Sequence, residues 1–347
     1  MRTKLSVLSV GAPANPALMA GALALVLALA SGCASAANGA GGEVTELRYQ
    51  GSVGTVTFPE LAEDLGYFGK LKLKWIGNTI SGPQDIQSAA TGQTDFGGAF
   101  NGAVVKLIAQ GAPVKAVIGY YGVDKDSYNG FYVRDDSPIK SAADLKGKKI
   151  GMNTLGAHHE AVLDEYLARN GVSNEGIKQV EPVVVPPVNT EQALRAGQID
   201  VGVLGGILRD KALARGGIHP LFTDFEIFGT FTAGTYVLTK QFIAQNPKAT
   251  KTFVDATAKA IAWSQSHSRA ENIAKFTAII NKRNRKEDVK TIALWKSAGV
   301  AGKGGVINKS EFTTWIDWLN RRGELKKKLS LSDVYTNEYN PFKAEAK

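Results

Sequence analysis

At 347 residues, the chain has room for roughly two globular units and a sizeable core. With 44% hydrophobic and 21% charged residues, 38 glycines and a net charge of +9, it is neither a disordered tail nor a bundle of membrane spans. A single cysteine, Cys33, excludes an internal disulfide and any CxxC motif, and the basic balance points to nucleic acid, a membrane surface or an anionic ligand.

Arg2 and Lys4 precede an apolar run from Ala17 to Ala30. The run is short of the about 20 residues a spanning helix needs and suits the core of an export signal. Ser31-Gly32-Cys33 follows, and small residues leading into a cysteine at this point resemble the lipobox of bacterial lipoproteins. That resemblance implies cleavage before Cys33, lipidation of its thiol and anchoring of the exported chain at the cell membrane; cleavage of an ordinary signal near Ala34-Ser35-Ala36 is the alternative. Residues 1–33 are read as the signal, and 34–43, rich in Ala and Gly, as a flexible tether.

Beyond the tether, strands and helices alternate. Glu46–Tyr49 reads as a strand, and Pro59 and Gly66 bound a helix from Phe58 to Leu65. Alternation over Leu71–Trp75 predicts a half-buried strand. Ser81-Gly82-Pro83 opens a helix to Ala90 that Gly92 stops; Thr94–Gly97 is a strand, Gly102–Ala109 a helix and Val114–Ile118 a strand. The βαβα order predicts an α/β class with mainly parallel sheets flanked by helices. The pattern then restarts with strand Gly130–Val133, an S-x-x-D capping box at Ser141–Asp144 and strand Ile150–Asn153. A helix over His158–Arg169 carries an apolar stripe of Val162, Leu163, Tyr166 and Leu167. Strand Val180–Val185, a helix to Ala196 with Asn189 and Gln192 as its N-cap pair, strand Ile199–Leu204 and helix Ile207–Ala214 follow. After Thr239 the chain turns helical over Phe242–Ser266 and Ala270–Ile280, and Phe312, Trp315, Ile316 and Leu319 share a helix face. The basic runs Lys282–Lys286 and Lys326–Lys328 read as solvated faces. They lack the interleaved aromatics of a nucleic-acid platform, so no nucleic-acid partner is expected.

An internal repeat appears at an offset of 105: Gln87, Gly92, Gln93, Asp95 and Gly97 match Gln192, Gly197, Gln198, Asp200 and Gly202. Two similar lobes are expected, with a small-molecule cleft between them. The segments Ser81–Asp85, Thr91–Gly97, Ser137–Ile150 and Ala196–Gly202, in this order and spacing, resemble the solute-binding proteins of ABC importers, in the branch of sulfonate, taurine, nitrate and thiamine-precursor binders. The resemblance covers about residues 44–265 and implies a two-lobed type II periplasmic-binding fold with a helical C-terminal tail. Its crossovers would lie near Asn129–Gly130 and Phe231–Tyr236, giving lobe 1 as 44–129 plus 235–347 and lobe 2 as 130–234. It also implies an ABC permease and its ATPase as partners, delivery of a small organic anion to them, and a monomer; the alternatives are a surface signalling or structural lipoprotein of the same fold, or a binder of a thiamine-type pyrimidine or nitrate.

Catalytic and cofactor motifs are absent: HExxH, GxSxG, the P-loop and GxGxxG do not occur, and of His158, His159, His219 and His267 only the first two are neighbours. No cofactor, metal or enzymatic activity is expected. Ligands of parallel α/β lobes sit at the carboxyl ends of strands, where backbone N–H groups at helix starts attract anions. Candidate ligand residues are therefore Ser52 and Thr55 after the first strand, Ser81 and Gly82 before the second helix, and Asn101 and Gly102 at the end of the first repeat. In lobe 2 they are Thr154, Gly156, Ala157 and His158; the resemblance implies a small hydroxyl residue donating to the anion from this loop, a role that fits Thr154, whose alternative is to serve as an N-cap. Tyr121, with Tyr120 and Tyr128, is placed to stack on a ring. The repeat offset carries Phe100 and Asn101 onto Gly205 and Gly206; the sulfonate branch that the chain resembles often has Trp and Asp at the second place, so two glycines, unless they only relieve strain at the turn, imply a roomy pocket and a ligand larger than taurine or nitrate, such as an aromatic carboxylate or sulfonate.

Overall fold

A computed structural model describes residues 42–283, 285 and 287–346. The expected export signal, the lipidation site Cys33 and most of the tether lie outside the described residues. In chain order the first half comprises β1 (Glu46–Gly51), α1 (Phe58–Asp64), β2 (Lys72–Asn78), α2 (Gly82–Ala90), β3 (Phe96–Phe100), α3 (Asn101–Ala109), β4 (Val114–Val123), β5 (Asn129–Arg134), β6 (Lys149–Met152), α4 (His158–Arg169), α5 (Asn174–Ile177) and β7 (Glu181–Val184). Then come α6 (Pro187–Arg195), β8 (Val201–Gly205), α7 (Gly206–Ala214), β9 (Ile218–Thr223), α8 (Asp224–Phe228), β10 (Phe231–Thr239), α9 (Lys240–Gln245), α10 (Pro247–Ser266), α11 (Arg269–Arg283), α12 (Ser310–Arg321) and α13 (Leu331–Val334).

One body holds the β1-β2 pair and a sheet ordered β3-β10-β4; the other holds a five-stranded sheet ordered β7-β6-β8-β5-β9. The βαβ units give parallel pairs at β1-β2, β6-β7 and β6-β8, as expected. The strands next to the two passages between bodies run against their neighbours: β5 is antiparallel to β8 and β9, and β10 to β3 and β4. The five-stranded sheet is therefore mixed and the three-stranded one wholly antiparallel, not mainly parallel as expected, because the chain enters each body from the opposite end to the strands already there. One passage lies between β4 and β5; the other runs through α8, and by Phe231 the chain already pairs with Val123 of β4.

The repeat has a structural meaning. Gly92 and Gly197 both take positive φ, 75° and 70°, as the αL residue that ends a helix. The next amides close the same loop, Gln93 N to Ser88 O and Gln198 N to Ala193 O, each at 2.9 Å. The aspartates then clamp the neighbouring strand: Asp95 Oδ2 accepts from Arg48 N at 2.6 Å, and Asp200 Oδ2 from Lys149 N at 2.8 Å. A Cβ at Gly97 would lie 2.4 Å from the Asp85 carbonyl, so the last repeat glycine lets α2 sit on β3.

Capping boxes form at α1, between Thr57 and Glu60, and at Ser141–Asp144. Three local readings are corrected. Asn189 caps nothing: α6 begins at Pro187, and the Asn189 amide donates to Pro186 O. The long helix after Phe242 is two, broken at Asn246 because Pro247 has no N–H to donate. In the first basic run, Lys282 is exposed, but Arg283 and Arg285 are buried on Glu60; Arg285 also donates to the Tyr49 hydroxyl at 2.7 Å. Aromatics of α12 fill the core as expected: Phe312, Trp315, Trp318 and Leu319 pack with Phe100, Val104 and Ile108 of the first body. No helix among the described residues is long and apolar enough to cross a membrane.

Candidate functional site

The two bodies meet at the N-terminus of α4. Ala157 is its N-cap, and no side chain caps it, so the first-turn amides of His158, His159 and Glu160 have no intrahelical acceptor. The His158 ring stacks on Phe100 at 5.3 Å and lies 6.4 Å from Tyr121 and 5.9 Å from Phe231, all in the first body. This places the positive end of a twelve-residue helix dipole against the opposite lobe. Tyr120 packs edge-on to Tyr121 at 4.9 Å and stacks on Tyr236 at 4.1 Å. Glycines make room for both rings: a Cβ at Gly98 would meet the Tyr120 ring at 2.7 Å, and one at Gly234 would meet Tyr121 at 1.9 Å.

The electrostatics are set by burial. Burial pushes His158 down to about 3, with His159 adding to the effect, and His159 itself down to about 4, so both rings are neutral at neutral pH. His158 Nε2 lies 3.5 Å from Asp224 Oδ2. Asp224, wholly buried, accepts from the Asn129 amide and carboxamide, each at 2.9 Å; burial nevertheless raises it to about 6. Asp85 accepts from Gly98 N at 2.7 Å through one oxygen, while the other has no partner; burial lifts it to about 7. Arg209 follows Gly205 and Gly206 in sequence, but its guanidinium is committed to Asp210 and Tyr128 O and lies 3.9 Å over the Tyr128 ring.

The sequence candidates divide. Tyr121, Ala157 and His158 come together. Thr154 is half-buried in the adjoining loop and caps nothing, since Ala157 holds the N-cap. Gly156, at φ 68°, donates its amide to Glu160 Oε2 at 2.7 Å, so that amide serves the helix cap. Ser81 is the N-cap of α2 without a side-chain cap bond, and Gly82 lies so close to β3 that a Cβ would sit 2.9 Å from Ala99 Cα. Ser52 and Thr55 are exposed and bonded to each other in the turn after β1, pinned from behind by Arg283 on Thr55 O. Asn101 and Gly102 are corrected: Asn101 is buried and donates to Thr232 O and Glu311 O, and Gly102 packs on the Phe100 and Trp318 rings. Gly205 is corrected too. A Cβ there would meet Asn129 Oδ1 at 2.2 Å, so this glycine protects the Asn129–Asp224 bond and adds no room for a ligand. Gly206, exposed and at φ 52°, opens α7. Tyr128 serves Arg209. Phe100, His159, Asn129, Asp224 and Phe231 were not read as site residues because long-range packing brings them together; Asp85 lies beside Tyr120 and Tyr236. Among the described residues no group of three His, Cys, Asp or Glu is placed to hold a metal.

Two α/β bodies joined by two passages define the periplasmic-binding-protein fold. The chain belongs to the NMT1/THI5 like family, whose profile matches residues 57–270. An aliphatic sulfonates-binding protein of Escherichia coli is 27% identical over 196 residues, 54% of this chain and 58% of that protein; the matched stretch thus spans little more than half the relative's length. A thiamine biosynthesis protein of Haemophilus influenzae is 25% identical over 79% of this chain and 85% of its own. The alkanesulfonate-binding protein of Xanthomonas axonopodis pv. citri, solved bound to MOPS, superposes with a TM-score of 0.62 at 20% identity, covering 85% of this chain and 99% of that one.

Proposed function

We propose that this chain is the extracytoplasmic solute receptor of an ABC importer: it binds a small organic anion between its lobes and hands it to the permease and ATPase. A binding role, not a catalytic one, suits the site. The observation that carries the reading is the uncapped α4 N-terminus facing Phe100 and Tyr121 across the interlobe boundary. Backbone amides and a helix dipole bind a sulfonate or carboxylate without a charged side chain, and Tyr121 offers an aromatic face to a ring. The sulfonate-binding relatives support the same class. We further propose a lobe division close to the expected one, with the cuts moved ahead of β5 and β10 so that 44–128 plus 231–347 face 129–230, a monomer, and membrane anchoring through lipid on Cys33.

A second reading, a neutral thiamine-type pyrimidine, is favoured by the neutral histidines and by the Asp85 and Asp224 carboxyls, which would accept from ring N–H groups. Thermal-shift screening separates the two, because a ligand of the native state raises stability as RT ln(1 + [L]/Kd). Aromatic sulfonates or carboxylates should raise Tm more than taurine, nitrate or pyrimidines do. A shift with pyrimidines alone, or with none of these, refutes the anion reading. Cys33→Ala should abolish detergent partitioning of the exported protein; unchanged partitioning refutes the lipid anchor.

A further inference from the structure

Farther along, α4 is also held by the C-terminal end of α12 of the first lobe. Three carboxylates surround the Arg322 guanidinium: Nη1 donates to Asp164 Oδ2 at 2.6 Å, Nη2 meets Glu160 Oε1 at 2.8 Å, and Nε donates to Glu324 Oε1 at 2.6 Å. Trp318 Nε1 also donates to Asp164, at 2.9 Å, and Lys106 closes the network on Glu324. Glu160 and Asp164 lie on α4 in the second lobe; Trp318, Arg322, Glu324 and Lys106 pack with the first. A cavity of about 300 Å³ lies beside them between α12 and the second-lobe residues Asn174 and Pro182.

Glu160 gives this contact its consequence. One of its oxygens takes Arg322, while the other takes the Gly156 amide in the loop that precedes α4. Glu160 is nine-tenths buried, so with Arg322 gone its carboxylate would be left without a countercharge and would turn to water in the adjoining cavity. Turning frees Gly156, whose φ of 68° is held by the cap. We propose that Arg322 is a positioning residue for the ligand loop: through Glu160 it ties the conformation of Asn153–Ala157 to the closed arrangement of the lobes. Opening withdraws Arg322 and loosens the loop; closure sets it. The functional meaning rests on the reading of α4 as the ligand end of the cleft, but the coupling itself exists in the ligand-free protein.

The test therefore uses no ligand. Amide hydrogen exchange is followed by NMR in the intact chain and in Arg322→Gln, Arg322→Lys and Asp164→Asn, with radius of gyration measured by small-angle scattering. In Arg322→Gln the Gly156 amide should exchange at least about tenfold faster while Val162–Leu167 of α4 keep wild-type protection, and the radius of gyration should rise. Arg322→Lys, which keeps charge at Glu160, should restore most of the Gly156 protection. Asp164→Asn leaves the Arg322–Glu160 contact and should leave Gly156 as in wild type. Unchanged Gly156 exchange in Arg322→Gln overturns the proposal, as does an equal acceleration in Asp164→Asn. Should Arg322→Gln not fold, Glu160→Ala reads the same amide, and wild-type exchange there overturns it equally. Failure of every anion to bind would overturn the proposed function and leave these readouts untouched.

Discussion

Asp85→Asn isolates the cost of the buried carboxyl under the tyrosines. Asp85 is 7% exposed, accepts from Gly98 through one oxygen and leaves the other unpartnered. Its folded pKa is raised from 3.8 to about 7, by burial above all. The unfolded chain loses this proton near pH 4 and the folded chain near pH 7, so stability falls as pH rises through that window, by about 1.4 kcal/mol per unit and about 4 kcal/mol by pH 8. An asparagine keeps the bond from Gly98 and cannot ionise; its amide, where the free oxygen was, costs about 1–2 kcal/mol unsatisfied. The variant should therefore be more stable than wild type by about 2–3 kcal/mol at pH 8, or about 3–5 °C in Tm for a chain of this size. At pH 5 only about 2 kcal/mol of the carboxylate penalty remains, and the two proteins should melt together. Calorimetric melts at both pH values check this. A gain of equal size at pH 5 and pH 8, or a loss at pH 8, refutes the claim that an ionisable group is the source.

His158→Phe should show the opposite pH trend. The folded ring titrates near 3, against an ordinary 6.5, so wild type alone loses about 2 kcal/mol between pH 7 and pH 5. The variant should gain on it by that amount in urea titrations, and a constant difference would contradict the argument. Gly234→Ala, with its Cβ 1.9 Å from the Tyr121 ring and 2.7 Å from Ala99 O, should cost about 1–3 kcal/mol as overpacking; a wild-type Tm would show that the rings move freely. Trp318→Phe removes the donor to Asp164 and should cost about 1–3 kcal/mol in chemical denaturation, against no change if that bond is idle.

What the sequence revealed follows from the range of the interactions. The repeat was legible because each part of it is local: a helix stop at Gly92 or Gly197 and an aspartate that clamps the adjoining strand. The α4 boundary was legible for the same reason, as was the Ser141–Asp144 box. Asn101 was misread because its position, at a strand end before a helix, is right for a ligand residue; Thr232 and Glu311, more than 100 residues away, take up its amide. Gly205 was misread because its spatial neighbour, Asn129, is set by the β5–β8 register. Arg283 and Arg285 looked solvated because nothing in the run points to Glu60, whose pairing depends on α11 lying against α1.

The charges around α4 also limit how an anion would be recognised there. His158 and His159 carry no charge above about pH 4, Arg209 is neutralised by Asp210, and Arg322 is surrounded by Asp164, Glu160 and Glu324. Asp85 and Asp224 hold their protons into the range of pH 6–7. At neutral pH the attraction would then come from the amides and dipole of α4, not from any of these side chains. An anion placed there disfavours ionisation of Asp224, 3.5 Å from His158 Nε2, so binding takes up protons around pH 6, and affinity must fall as the medium turns alkaline. A neutral pyrimidine accepted by the same carboxyl would instead draw on its ionised form and bind more tightly as pH rises through the same range. The sign of the pH dependence thus separates the two ligand classes on the strength of Asp224 alone.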